Sequence, residues 1–338
     1  MCVRSCRYGC AVADAAWVSG PVVLGCGSFG GIGGARELIG RGLDESASLA
    51  TLDEAAALGM TMLDTAERYA AGASEVMIGR WLAERDAAVT ARARITTKVA
   101  PAFASGGDAS FDAAFIEPVF SGSLERLGVE NVDWLLTHAP DQATPIETTL
   151  EALESIRASG GCRHVGGCNL DGRQLREALD AAERLGFEGY ELVQNGYSLL
   201  RPDDEAEVRD LCRERGLAFT AFSPLAGGVL TGKYRRSEPA APGTRLDLRP
   251  EGFDELLTPA VHDAIDVLAA RAGELGVSTG ALALAWLAHR DDVTALITGP
   301  SRSAPYVGLA AEALEIHLAA DLAAELTERF RTAARQET

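Results

Sequence analysis

Between about residue 20 and residue 300 the chain repeats one unit eight times: a short apolar run, then a longer amphipathic stretch. The runs are Val22–Cys26, Met60–Asp64, Arg94–Val99, Val132–His138, Arg163–Cys168, Glu191–Asn195, Ala218–Phe222 and Thr294–Thr298. Apolar runs alternating with helical stretches are the pattern of parallel strands joined by crossover helices. Eight such units in one chain predict a closed α/β barrel, (β/α)8, rather than an open sheet. The 338 residues are enough for one such barrel with insertions, and no composition break marks a second domain. We therefore expect residues 20–338 to form the barrel, and residues 1–19 a poorly ordered leader.

The intervening stretches carry helical periodicity. Ile146, Leu150, Leu153 and Ile156 share one face, as do Phe115, Val119, Phe120, Leu124 and Leu127. Pro118 predicts that the second of these helices begins near it, with proline in the first turn and the segment Pro101–Asp112 as loop. A second long connection, from Leu225 to about Pro259, is rich in Gly and Pro; long ordered loops are usually functional.

Net charge is −18, which opposes nucleic acid or an anionic membrane as a partner, so an anionic ligand needs a local basic site. No apolar stretch reaches the roughly 20 residues of a spanning helix, and the expected location is the cytoplasm. The seven cysteines, at 2, 6, 10, 26, 162, 168 and 212, form no CxxC pair. Reduced thiols are expected, with no disulfide framework and no metal site.

Four polar residues stand at or just past strand ends. Asp64 closes MTMLD, Tyr69 follows in DTAERY, Lys98 lies in RITTKVAP and His138 ends DWLLTHAPD. Period-2 parity puts Lys98 on the face with Thr96 and Arg94, pointing into the barrel. Singly, each has an ordinary reading: a helix cap, a snorkelling lysine, a core imidazole, a loop tyrosine. Together, at the carboxyl ends where a barrel keeps its chemistry, they form a proton relay. A tyrosine near pKa 10 is a weak acid at neutral pH. An adjacent ammonium held by a carboxylate favours its ionised form, and an imidazole orients the oxygen that receives the proton.

With these residues on the page, the chain resembles the aldo-keto reductases from about residue 21 to 318. The blocks LGCGSFGG, GMTMLDTAERYAAGASEVMIGRWL, ITTKVAP, SLERLGVENVDWLLTHAPD, LVQNGYSLL, AFSPLAGGVLTGKY and ALAWLAHRDDVTALITGPSR follow that family's order. The resemblance implies a barrel binding NADPH, with NADH as second choice, across its carboxyl face. It implies Tyr69 as general acid, Lys98 and Asp64 as its tuning pair and His138 as orienting group. It places Asn169 and Gln194 at the nicotinamide carboxamide, Phe222 against the ring, and Ser223, Leu225 and Gly227 beside the pyrophosphate. Lys233 reaches a phosphate, and Ser301 and Arg302, after Gly299, receive the adenosine 2′-phosphate. The chain departs from the family at Cys168, where serine is usual, and at Leu170, where an aromatic is usual. Tyr306 and Ala310 replace polar adenine contacts, and Tyr306 is expected to stack on adenine instead.

Phe29, Trp134 and Tyr197 give the expected substrate pocket an aromatic, apolar character, suited to a hydrophobic carbonyl compound. Gly25, Gly27 and Gly30 satisfy GxGxxG, yet further glycines delay the next helix to about Leu43, against a Rossmann site. These readings leave a carbonyl reductase acting on small molecules, with a catalytically idle nucleotide-binding barrel, serving as redox sensor or regulatory subunit, as the alternative. A cofactor-free isomerase on a similar barrel is the third reading.

Overall fold

The computed structural model describes residues 22–102, 106–249, 256–300 and 306–335. The expected leader, and Ser301 and Arg302, lie outside the described residues. Eight strands form: β1 Val22–Gly25, β2 Met62–Asp64, β3 Arg94–Val99, β4 Val132–Thr137, β5 Cys162–Cys168, β6 Leu192–Gly196, β7 Ala218–Phe222 and β8 Ala295–Thr298. They pair in sequence order, and β8 returns to β1 through Val23 opposite Ile297, closing a parallel barrel. The expected (β/α)8 architecture is thus the observed one.

Strand parity divides the side chains into two apolar layers. Val23, Met62, Trp134, Leu136, Cys168, Leu192, Ala218, Ala295 and Ile297 fill the barrel interior, as a small barrel requires. Leu63, Ile95, Val99, Leu135, Val193, Phe219 and Leu296 face the helical layer. Several helices start on side-chain caps: Asp44 accepts from Ala47 at 2.9 Å, and Asp171 and Gln174 form a capping box.

One helix starts earlier than Pro118 predicts. It runs Ala113–Leu127, capped by Asp112, whose Oδ1 accepts from the Phe115 N–H at 3.2 Å. Proline costs this helix one bond, that to the Ala114 carbonyl, and both residues face solvent. The buried face of Ile116, Phe120, Ser123 and Leu127 outweighs that loss.

The long connection after β7 contains a tight turn, Ala226–Thr231, and a short helix, Arg245–Leu248. Among the described residues no single helix is long and apolar enough to cross a membrane.

Candidate active site

A cleft of about 410 Å³ opens at the carboxyl ends of the strands, over the barrel mouth. Asp64 ends β2 in register with Thr96, so Lys98 stands two residues higher on β3. Its long side chain leans back to fill that gap. The Lys98 Nζ donates to Asp64 Oδ1 at 2.6 Å and to the Thr65 carbonyl at 2.8 Å, and both side chains of the pair are buried. The second Asp64 oxygen accepts from Gln194 Nε2 at 2.8 Å across the barrel.

Past Asp64 the chain keeps following β3: Thr65 N–H donates to the Thr96 carbonyl, and Glu67 N–H to that of Lys98. Two left-handed alanines, Ala70 at φ 49° and Ala71 at φ 55°, then turn it into helix Ala73–Glu84. Tyr69 is placed by this bend. Its ring lies 5.1 Å from the Lys98 ammonium and meets the His138 ring edge-on, with centroids 5.4 Å apart. His138 is set by its own N–H, which donates to the Val99 carbonyl at 2.8 Å. The four residues are therefore brought together, three lining the cleft and Lys98 sealed beneath it.

The electrostatics differ from the sequence expectation in one respect. Burial dominates at Tyr69 and pushes its pKa up to about 12, although Lys98 pulls it down. Burial alone would lower Lys98, but Asp64 and Tyr69 together raise it, so the ammonium stays charged. His138 is held well below its usual value by burial and by the charges of Lys98 and Arg68. At neutral pH the site thus holds a protonated tyrosine, an ammonium and a neutral imidazole. Among the described residues the buried His138 Nδ1 has no hydrogen-bond partner.

Asn169, Gln194, Phe222, Ser223, Leu225, Gly227, Lys233 and Gly299 all line the same cleft. Asn169 Nδ2 donates to the His138 carbonyl at 2.9 Å. Asn169, Ser223 and Ala226 are non-glycine residues with φ of 58°, 53° and 47°, a conformation that costs energy and is concentrated at functional turns. Phe222 packs over Gly196, where an added Cβ would stand 3.3 Å from the ring. Tyr306 opens helix Tyr306–Glu315, and Ala310 on that helix is fully buried.

Phe29, Trp134 and Tyr197, the aromatic residues expected to form the substrate pocket, do not line the cleft. Trp134 is buried in the barrel interior below Leu136, stacked on His164 at 4.5 Å, because parity sends its side chain inward. Phe29 is likewise buried: it anchors the loop after β1, bridging to Leu43, so its ring packs into the helical layer. Tyr197 is buried in the helical layer, its hydroxyl donating to the Pro202 carbonyl and Arg209 4.4 Å over its ring.

Cations take the place of those rings. Arg41, Lys233, Arg245 and Arg249 line the cleft, and Asp64, already paired, is the one acid among the described residues that line it. Lys233 is the second of only two lysines in the chain, Lys98 being the first. Sequence reasoning found Lys233 but not the arginines, which reach the cleft from loops whose path no periodicity records.

A family model described as the aldo/keto reductase family matches residues 21–328. The chain belongs to that family. Its relatives include a probable voltage-gated potassium channel subunit beta of Oryza sativa subsp. japonica, 33% identical over 80% of this chain and 82% of the relative. An uncharacterized oxidoreductase of Bacillus subtilis (strain 168) is 32% identical over 85% of this chain and 88% of its own length. An NADH-specific methylglyoxal reductase of Escherichia coli (strain K12) is 28% identical over 76% of this chain and 79% of its own. This aldo-keto reductase is accordingly an NAD(P)H-dependent oxidoreductase acting on carbonyl compounds.

Proposed function

We propose that the reductase converts an aldehyde or ketone to an alcohol with NADPH, Tyr69 serving as the proton donor. The observation that carries this reading is the convergence at one cleft of the Tyr69 and His138 rings on the Lys98 ammonium, itself clamped by Asp64 at 2.6 Å. When bound, the nicotinamide supplies the hydride. Tyr69 gives its proton to the carbonyl oxygen, and the charged Lys98 stabilises the phenolate left behind. Asp64, held by Gln194, keeps that ammonium in place, and the imidazole of His138 hydrogen-bonds the same oxygen.

The cleft fits a dinucleotide. Gly27 lies against the Tyr69 ring, 3.6 Å from where a Cβ would stand, and both line the cleft. Phe222, seated on Gly196, offers a flat ring for the nicotinamide, and Asn169 and Gln194 supply amides for its carboxamide. Ser223, Leu225 and Gly227 border the pyrophosphate, with Gly299 beside them after the neighbouring strand β8. Lys233, Arg41 and Arg245 supply positive charge for the dinucleotide's phosphates within a chain of net −18, and the preference for NADPH rests on the assignment of Arg302 to its 2′-phosphate. Ser301, Arg302 and Tyr306 are assigned to the adenosine end on the family resemblance. The four described cysteines are buried and free, in keeping with a reducing cytoplasm.

Replacing Tyr69 by Phe tests the assignment. The variant should bind NADPH within about twofold of the parent, yet lose about 10³ in turnover, within the range for a general acid. Full turnover in Tyr69→Phe overturns the role. Parent protein that binds nucleotide without oxidising it, across a broad aldehyde and ketone panel, is instead the idle barrel.

A further inference from the structure

Outside Tyr69 and His138 the cleft widens into a second bay, and four arginines, Arg36, Arg68, Arg126 and Arg249, stand on its wall. Two acids share that wall, Glu37 and Glu67, and burial shifts the Glu67 carboxyl toward its neutral form. Arg126 is committed to structure: its Nε donates to the buried Glu75 at 2.7 Å, and Glu75 also accepts from Thr97. Arg68 stands beside the reacting groups. It precedes Tyr69 directly, and its side chain crosses Gly34, where a Cβ would fall 2.2 Å from Nε and 3.0 Å from Cδ. Glycine at 34 gives that side chain its path along the loop after β1, on the wall shared with Tyr69 and His138. Its charge is felt at the His138 ring.

From this geometry we propose that the substrate is a short carbonyl compound carrying a carboxylate, and that Arg68 receives that carboxylate while Tyr69 and His138 hold the carbonyl oxygen. The inference rests on the carbonyl reduction proposed above and names its substrate class. A guanidinium presents paired N–H donors that match both oxygens of a carboxylate. Arg36 and Arg249, both exposed on the same wall, add positive potential at the entrance. Arg68 then sets specificity by fixing which end of the substrate turns toward the tetrad. It does not itself touch the proton transferred.

The test compares kcat/KM for ω-oxo carboxylates of three to six carbons with that of their methyl esters, using NADPH. The parent enzyme should favour the acid over its ester by about 10- to 100-fold at one chain length, the range of a hydrogen-bonded charge pair. Arg68→Gln should lower that acid-to-ester ratio at least about tenfold, chiefly through KM, and Arg68→Lys should restore part of it as a point charge. Arg36→Gln, at an exposed position that folding does not require, should lower the ratio about threefold and keeps the idea testable if Arg68→Gln fails to fold. Equal use of acids and esters by the parent overturns the proposal alone. So does a ratio unchanged in Arg68→Gln, which would make that arginine a structural support. If neither class is turned over, the reduction itself fails and the inference falls with it.

Discussion

Burial and charge pull in opposite directions at Tyr69 and Lys98 but act together at His138, and the outcome fixes the protonation of each of the three. The buried Lys98 keeps its proton because Asp64 lies 2.6 Å away; removing one partner of such a pair typically costs about 3–5 kcal/mol. His138 has no such anion and stays neutral. This carries a pH signature. The folded-state pKa of His138 is depressed, so its contribution to stability is present above the ordinary histidine range and is lost as pH falls below about 6.5, where the unfolded chain takes up the proton. Stability should therefore decline on acidification by up to about 1.4 kcal/mol per pH unit from this residue. In His138→Gln that part of the slope should vanish, as read by urea unfolding between pH 7.5 and 5. Identical slopes in the two proteins would place the acid sensitivity elsewhere. Tyr69, raised to about 12, should remain a phenol throughout that range.

Among the elements, the loop between β1 and helix Glu45–Ala57 does the most to shape the cleft. It closes on itself through Leu43 N–H to the Ser28 carbonyl at 2.7 Å and Gly30 N–H to the Leu43 carbonyl at 2.8 Å. Gly42 lies at the centre of that closure: a Cβ there would stand 1.9 Å from the Gly31 oxygen and 2.1 Å from that of Ser28. Gly42→Ala must open the loop and displace the adjacent Arg41. The expected result is an intact barrel by far-UV circular dichroism, with NADPH bound roughly tenfold more weakly, about 1.4 kcal/mol. Unchanged affinity would show that this loop does not contact the cofactor. The same loop marks how far sequence reading reaches. Strands were legible because period 2 and apolar runs are properties of the chain itself, and that parity also turned Lys98 inward. Phe29 was misread because a loop aromatic can anchor the loop as readily as line a pocket. Pro118 misled because helix starts respond to the Asp112 cap and the buried face together, not to proline alone. Arg68 carried no signal of its own beyond adjacency to Tyr69.

For the whole molecule, closure of the sheet leaves none of the eight described strands with an unpaired edge, so the barrel itself lacks the template on which open sheets associate. Charge is distributed with equal economy. A surface of net −18 surrounds a mouth lined by cations, and the chain meets its need for positive charge almost entirely with arginine. Its two lysines both belong to the cleft, one sealed under the tetrad and one on the wall. Amine-directed chemistry therefore has a single internal target. Acetylation by an activated ester should label Lys233 and the N-terminus but spare Lys98 in the folded protein, and saturating NADPH should slow the Lys233 reaction, as followed by peptide mass spectrometry. Labelling of Lys98 at a comparable rate would mean that the barrel opens. A reagent blind to arginine thus becomes an occupancy gauge for the cofactor, and immobilising this enzyme through its amines would tether it by the chain terminus or by the rim of its own active site.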